Sequence, residues 1–227
     1  METSIKVMNT EVAMISKETL LQQINMYLED EEFRVILFAS ASLLHMAEED
    51  ELLQKELQEI HLLLPGEETI LAMHHLDVLQ AGNMVVSCKA FGDVLEDIWK
   101  QHATVYIISD DRERTLLLQD FIRDVQPELQ IVGVSVLEPE VQTATVLNGI
   151  NSETPDILFL DLEETGQIQW LKENKDMLNA KLCVAIGGVS TVILDNYHKI
   201  PEWVCKCRME KVYRALFFNK SRKNPKK

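Results

Sequence analysis

Four stretches of the chain are apolar at nearly every position: residues 35–39, 104–108, 157–162 and 182–186. A short, continuously apolar run bounded by turn residues predicts a strand covered on both faces. Two further runs, 61–64 and 129–136, are also expected as strands, the first stopped by Pro65-Gly66. Between them the pattern changes to helical spacing. Ser16 offers an N-cap for a helix to about residue 27. Residues 43–60 predict one amphipathic helix, with Leu44, Ala47, Leu52 and Leu57 near turn spacing and glutamates between them. Residues 67–79 predict another, closed by Gly82. Further helices are expected over 91–102, 110–125, 139–147 and 167–178, the last with Trp170 and Leu171 on its apolar side. The short apolar pieces 5–8 and 12–15 suit a hairpin or edge strands. Strands alternating with helices from residue 35 to 188 predict an α/β fold: one open, mainly parallel sheet with helices on both faces.

Charge changes the picture only near the end of the chain. The net charge is −15, yet residues 199–227 hold ten Lys or Arg against Glu202 and Glu210, a balance of +8. The first 198 residues therefore carry −23. This break divides the chain into an α/β domain (1–198) and a basic C-terminal appendage (199–227), in which 205–218 can form a helix. An acidic body argues against general nucleic-acid binding. A basic terminus suits an anionic phospholipid surface, with Arg214, Lys220, Arg222, Lys223, Lys226 and Lys227 as the membrane-binding cations; a solubilising tail is the plainer reading. No run is long and apolar enough to span a bilayer, and no secretory signal is visible, so a cytoplasmic protein is expected, peripheral on the inner membrane face at most. Cys88, Cys183, Cys205 and Cys207 show no C-x-x-C pairing and read as free thiols.

The last third of the chain carries a resemblance. Pro155-Asp156-Ile157-Leu158, then Gln167 and Trp170, then Ile186-Gly187-Gly188, then Ile200-Pro201-Glu202-Trp203, then Glu210 and Tyr213-Arg214 occur in one order. This series resembles the "PDI-L-VGLGSPKQE-W", "GVGGSFD", "RAP-W" and "LEW-YR" segments of the N-acetylmannosaminyltransferases of bacterial surface-polymer synthesis, the TagA/WecG/CpsF family. A looser likeness reaches back through Phe38-Ala39-Ser40, Leu64-Pro65-Gly66 and Val105-Tyr106-Ile107-Ile108. Overall it spans roughly residues 5–222. The resemblance implies transfer of an N-acetylamino sugar from a UDP donor to a polyprenyl-diphosphate-linked acceptor, without a cofactor or a bound metal. It also implies substrate contacts at Ser40, Gln167, Gly187 and Gly188, and a C-terminal appendage associated with the membrane.

Sugar transfer needs a proton acceptor for the incoming hydroxyl, stabilisation of the leaving diphosphate and a shaped pocket. The family's expected base is the aspartate of its "P-D-G" segment, and Pro65 stands there. Further family positions are changed at Phe38, Ser40, Glu163, Thr165, Ile168 and Thr191. Poor turnover of UDP-N-acetylmannosamine is therefore expected unless another residue supplies the base. Asp161, Glu163 and Glu164 would repel a nearby diphosphate, or hold it through a divalent cation, or form a solvated loop. Gly187-Gly188 suits either close approach to a nucleotide or a plain tight turn. Gln167 suits either a base or sugar contact or an exposed helix position. The six histidines form no constellation, and neither a G-x-S-x-G elbow nor a phosphate-binding G-x-x-x-x-G-K-[ST] loop occurs. Two readings stay open: a divergent transferase, and a catalytically inactive member acting as a regulatory or scaffold protein.

Overall fold

In the computed structural model, which describes residues 3–76, 81–138 and 142–194, the four apolar runs are the inner strands of a six-stranded sheet. These are β3 (Arg34–Ala39), β5 (Thr104–Ser109), β7 (Ile157–Asp161) and β8 (Leu182–Ala185), with β4 (Leu62–Pro65) and β6 (Gln130–Val136) at the edges. The order is β4-β3-β8-β7-β5-β6, and every pairing is parallel. The expected α/β fold is present. Strand interiors are apolar because helices cover both faces, which leaves neither face for polar side chains.

Side-chain alternation sorts the strands into two cores. Val35, Leu37, Leu158, Leu160, Cys183 and Ala185 pack with α2 (Ala41–Glu49), α3 (Glu51–Gln58), α7 (Thr143–Glu153) and α8 (Glu164–Asn174). Ile36, Phe38, Ile157, Phe159, Leu182 and Val184 pack with α1 (Lys17–Glu29), α5 (Phe91–Lys100) and α6 (Arg112–Val125). Phe91 and Phe159 meet edge to face, their centroids 4.9 Å apart. The first residues form a separate antiparallel hairpin, β1 (Thr3–Val7) and β2 (Thr10–Met14). Met8 and Asn9 both take positive φ, as a two-residue hairpin turn requires.

At the amino end of the sheet a single aspartate ties three strands. Asp156 Oδ2 accepts from the Thr104 N–H (2.9 Å) and hydroxyl (3.0 Å), and Oδ1 accepts from Lys181 Nζ (2.9 Å). Burial works to raise its pKa, but the donors from Thr104 and Lys181 prevail and hold it below the usual carboxylate value.

The structure corrects several expected helices. Residues 43–60 are two helices, α2 and α3, because Asp50 is extended (φ −123°, ψ 103°). Its carboxylate accepts from the N–H groups of Leu52 and Leu53 and starts α3 afresh. The break turns Leu52 out to 60% exposure and puts Leu53 in the core. Of the helix expected over 67–79, the described residues 67–76 form only α4 (Thr69–Met73), with His75 at φ 60°, and 77–79 lie outside the described residues. The helix expected over 139–147 is α7, which starts and ends later and brings Val146, Leu147 and Ile150 inside. The basic appendage and its six membrane-binding cations lie outside the described residues, as does the expected helix over 205–218. No described helix is long and apolar enough to cross a membrane.

Candidate functional site

The strand order creates one natural crevice. From β5 the chain leaves through α6 over one face to β6; from β7 it leaves through α8 over the other face to β8. Neighbouring strands whose connections part in this way open a gap at their carboxyl ends, the usual ligand position in open parallel sheets. A cavity of about 310 Å³ lies there, lined by residues from the ends of β5, β7 and β8, among them Asp110, Arg114, Glu164 and Gly188.

One lip of the crevice is a charge network. Arg114, on α6, donates from Nε to Asp161 Oδ2 (2.7 Å) and from its fork to the Asp161 carbonyl (3.2 Å) and to Asp110 Oδ1. Asp110 Oδ2 accepts from the Glu163 N–H (2.6 Å), and Asp111 caps α6 by accepting from the Arg114 N–H (2.6 Å). Asp161 is 0% exposed, and the Ser109 hydroxyl also donates to it at 3.3 Å. Burial pushes its pKa up, against the pull of the Ser190 hydroxyl and Arg114. Burial draws Arg114 down, but its bonds to Asp161 and Asp110 outweigh this and raise it. The guanidinium is therefore held charged by its bonds to the acids in a partly dry site.

The other lip is built from β3, β8 and the start of α8. Ser40, 2% exposed, caps α2 by accepting from the Leu43 N–H (2.9 Å) and donates to Glu164 Oε1 (2.9 Å). This bond passes from the end of β3 to the end of β7 over β8, which lies between them. Beneath it are the two glycines. A Cβ on Gly187 would lie 1.8 Å from the Leu162 carbonyl oxygen, and one on Gly188 2.7 Å from Glu164 Cγ. Gly188 also has φ 82°. Gln167 is fully buried and closes a reciprocal pair: Nε2 donates to the Gly187 carbonyl (3.0 Å), and Oε1 accepts from the Gly187 N–H (3.1 Å).

The sequence-predicted site residues thus come together on one lip, in different roles. Gly188 lines the cavity. Ser40 reaches it through Glu164. Gln167 is not an exposed helix residue: its amide is engaged by the Gly187 backbone and holds the turn after β8. The acids split three ways, with Asp161 buried in an ion pair, Glu163 exposed and Glu164 half-buried. Sequence reasoning passed over Arg114 and Asp110. Their four-residue spacing at a helix start, after an apolar strand, was a usable signal. Their partner Asp161 lies on another strand, so no local pattern joins them. Pro65 ends edge strand β4 opposite Ala39 and contributes no polar side chain. Among the described residues no group of three or more His, Cys, Asp or Glu is placed to hold a metal ion.

Compared with known proteins, the chain is matched over residues 5–218 by the model of the glycosyl transferase WecG/TagA/CpsF family. No curated protein matches it.

Proposed function

The chain belongs to the WecG/TagA/CpsF glycosyl transferase family, and on that premise we propose that it transfers an N-acetylamino sugar from a UDP donor to a polyprenyl-diphosphate-linked acceptor in cell-surface polymer synthesis. The observation that carries this reading is the crevice itself. It opens at the topological switch between β5 and β7, and its cavity combines a guanidinium, a held carboxylate and a glycine turn. A volume of about 310 Å³ is at the lower end of ligand pockets and suits part of a donor rather than all of it. Among the described residues lining the cavity, Arg114 is the cation able to meet a diphosphate, provided that it exchanges a carboxylate partner for a phosphate one.

The membrane side of the proposal rests on the sequence. The acceptor is lipid-linked, and each of the cations at 214, 220, 222, 223, 226 and 227 contributes on the order of 1 kcal/mol near an anionic leaflet. A protein working there sits on the cytoplasmic face without spanning the bilayer. Replacing Lys220, Arg222, Lys223, Lys226 and Lys227 by Gln should abolish sedimentation with anionic liposomes, and neither the parent nor the variant should sediment with neutral ones.

The test of the transfer reading is titration of UDP and UDP-N-acetylhexosamines by calorimetry, paired with UDP release in the presence of a polyprenyl-diphosphate-linked sugar. Saturable UDP binding with acceptor-dependent release supports it. A second reading, a catalytically silent member with a regulatory or scaffold role, is favoured by Pro65 and by the engagement of Arg114 with Asp161 and Asp110. Binding without release from any donor would favour that reading.

A further inference from the structure

We infer that Glu164 is the proton acceptor of the transfer reaction, held in position by Ser40. The inference deepens the transfer reading above and rests on it. A hydroxyl attacking an activated sugar needs a positioned base within hydrogen-bond reach. The cavity is lined by the carboxylates of Asp110, Asp111, Glu163 and Glu164, and three of these are unsuited to the task. Asp110 is taken up by Arg114 and the Glu163 N–H. Asp111 is spent on the cap of α6. Glu163 is exposed, and no side chain fixes its carboxylate among the described residues. Asp161, behind the lining, is buried and paired with Arg114.

Glu164 differs from all of them. It is half-buried, so its environment is neither dry nor fully wet. One oxygen is fixed by a 2.9 Å bond from a serine that is itself buried. The other, Oε2, has no hydrogen bond or ion pair among the described residues, which leave that acceptor site open. Its aliphatic stem rests over Gly188, where a Cβ would lie 2.7 Å from Cγ, so the glycine is what lets the carboxylate settle there. The position also accounts for a transferase without an acid on β4. Pro65 lies directly opposite Ala39, the residue before Ser40. The carboxylate that the β4 end lacks is therefore supplied to the neighbouring β3 end by the first residue of α8.

In the step itself, Glu164 Oε2 takes the proton of the acceptor hydroxyl. The oxygen forms its bond to the anomeric carbon as the bond from that carbon to the diphosphate oxygen breaks. The electron pair leaves with the nucleoside diphosphate, and Glu164 afterwards returns its proton to water.

The test is acceptor-dependent UDP release by the full chain and by Glu164→Gln and Glu164→Asp, with UDP affinity measured alongside. Glu164→Gln should lower kcat by 100-fold or more, in the range of a lost general base, with about the same UDP affinity, and should remove the acidic limb of the pH profile. Glu164→Asp should recover part of the rate and the limb. Ser40→Ala, which takes a donor from the ionised carboxylate, should move that limb to higher pH. This variant carries the test if Glu164→Gln does not fold. Release by Glu164→Gln within about threefold of the parent, or an acidic limb unmoved in Ser40→Ala, overturns the base while leaving the transfer reading standing. No release by the parent chain with any donor overturns both.

Discussion

Two aspartates bracket the same strand and teach opposite lessons. Asp156 precedes β7 at the amino end of the sheet, and Asp161 ends β7 at the carboxyl end. Asp156 is met by two donors from Thr104 and one from Lys181, and its pKa is lowered although burial works the other way. Asp161 is more deeply buried, has Arg114 as its strong partner, and its pKa is raised. One of its oxygens, Oδ1, lacks a well-formed hydrogen bond. The amino end closes the fold with satisfied polar groups. The carboxyl end keeps charge under tension around a cavity. A sheet that binds ligands at one end only can make its other end purely structural.

The sharpest way to break this comparison is to remove Arg114. Arg114→Met leaves Asp161 buried without its ion, and breaking a buried pair from one side costs about 3–5 kcal/mol. Urea unfolding should show a loss near the lower figure, because the Arg114 side chain is 25% exposed. Asp161→Asn should cost less, since Arg114 keeps Asp110 and some water. Equal losses would mean that the two sides of the pair are alike in burial, contrary to the structure.

Gly187→Ala tests the other lip. A Cβ 1.8 Å from a backbone oxygen forces the turn after β8 to move, an overpacking cost of about 1–3 kcal/mol. Gln167→Leu should cost about 1–3 kcal/mol, because it leaves the Gly187 N–H and carbonyl buried and unpaired. Thermal melts rank both. Each should also impair UDP binding, which changes at the amino end should not.

Asp156→Ala then provides the contrast, with a loss of about 1–2 kcal/mol and unchanged UDP affinity. Its pH dependence has a defined sign. Its folded pKa lies below the ordinary 3.8, so its contribution is present above 3.8 and is lost as pH falls through the folded value. Asp161, with its folded pKa raised, gives the opposite slope, favouring the native state as pH falls toward that value. Acid unfolding of Asp156→Ala and Asp161→Asn should therefore deviate from the parent in opposite directions.

The smallest effect is expected at His61, also at the amino end. Its Nδ1 accepts from the Val35 N–H at 3.1 Å, which requires the neutral ring, and burial lowers its pKa. Its contribution is full above the ordinary 6.5 and declines as pH drops toward the folded value. The ring is only partly buried, so the slope is shallow. His61→Gln should flatten stability between pH 5 and about 6.5 and leave the crevice alone.

The four apolar runs determined the inner strands, because a strand buried on both faces has no polar positions to show. Alternation with helical segments then determined a parallel α/β sheet, and the chain's motif order its family. The charge break at residue 199 is likewise written in the residues themselves. Local chemistry misled where one residue mattered more than the period. Asp50 prefers to cap a new helix rather than continue an old one, so an unbroken amphipathic pattern became two helices with Leu52 outside.

What only the tertiary structure decided is the arrangement of side chains around the crevice. Strand order placed β7 beside β5 and so brought Arg114 to Asp161 across 47 positions, and it carried Glu164 to Ser40 across 124. Neighbouring carboxylates at 161, 163 and 164 look equivalent in a sequence. Burial, a partner cation and a serine donor make them an ion-pair member, a solvent-exposed acid and a held base candidate. Such differences arise from through-space distances and from the local dielectric. Neither is a property of a residue and its neighbours along the chain, and both exist only once the sheet has closed.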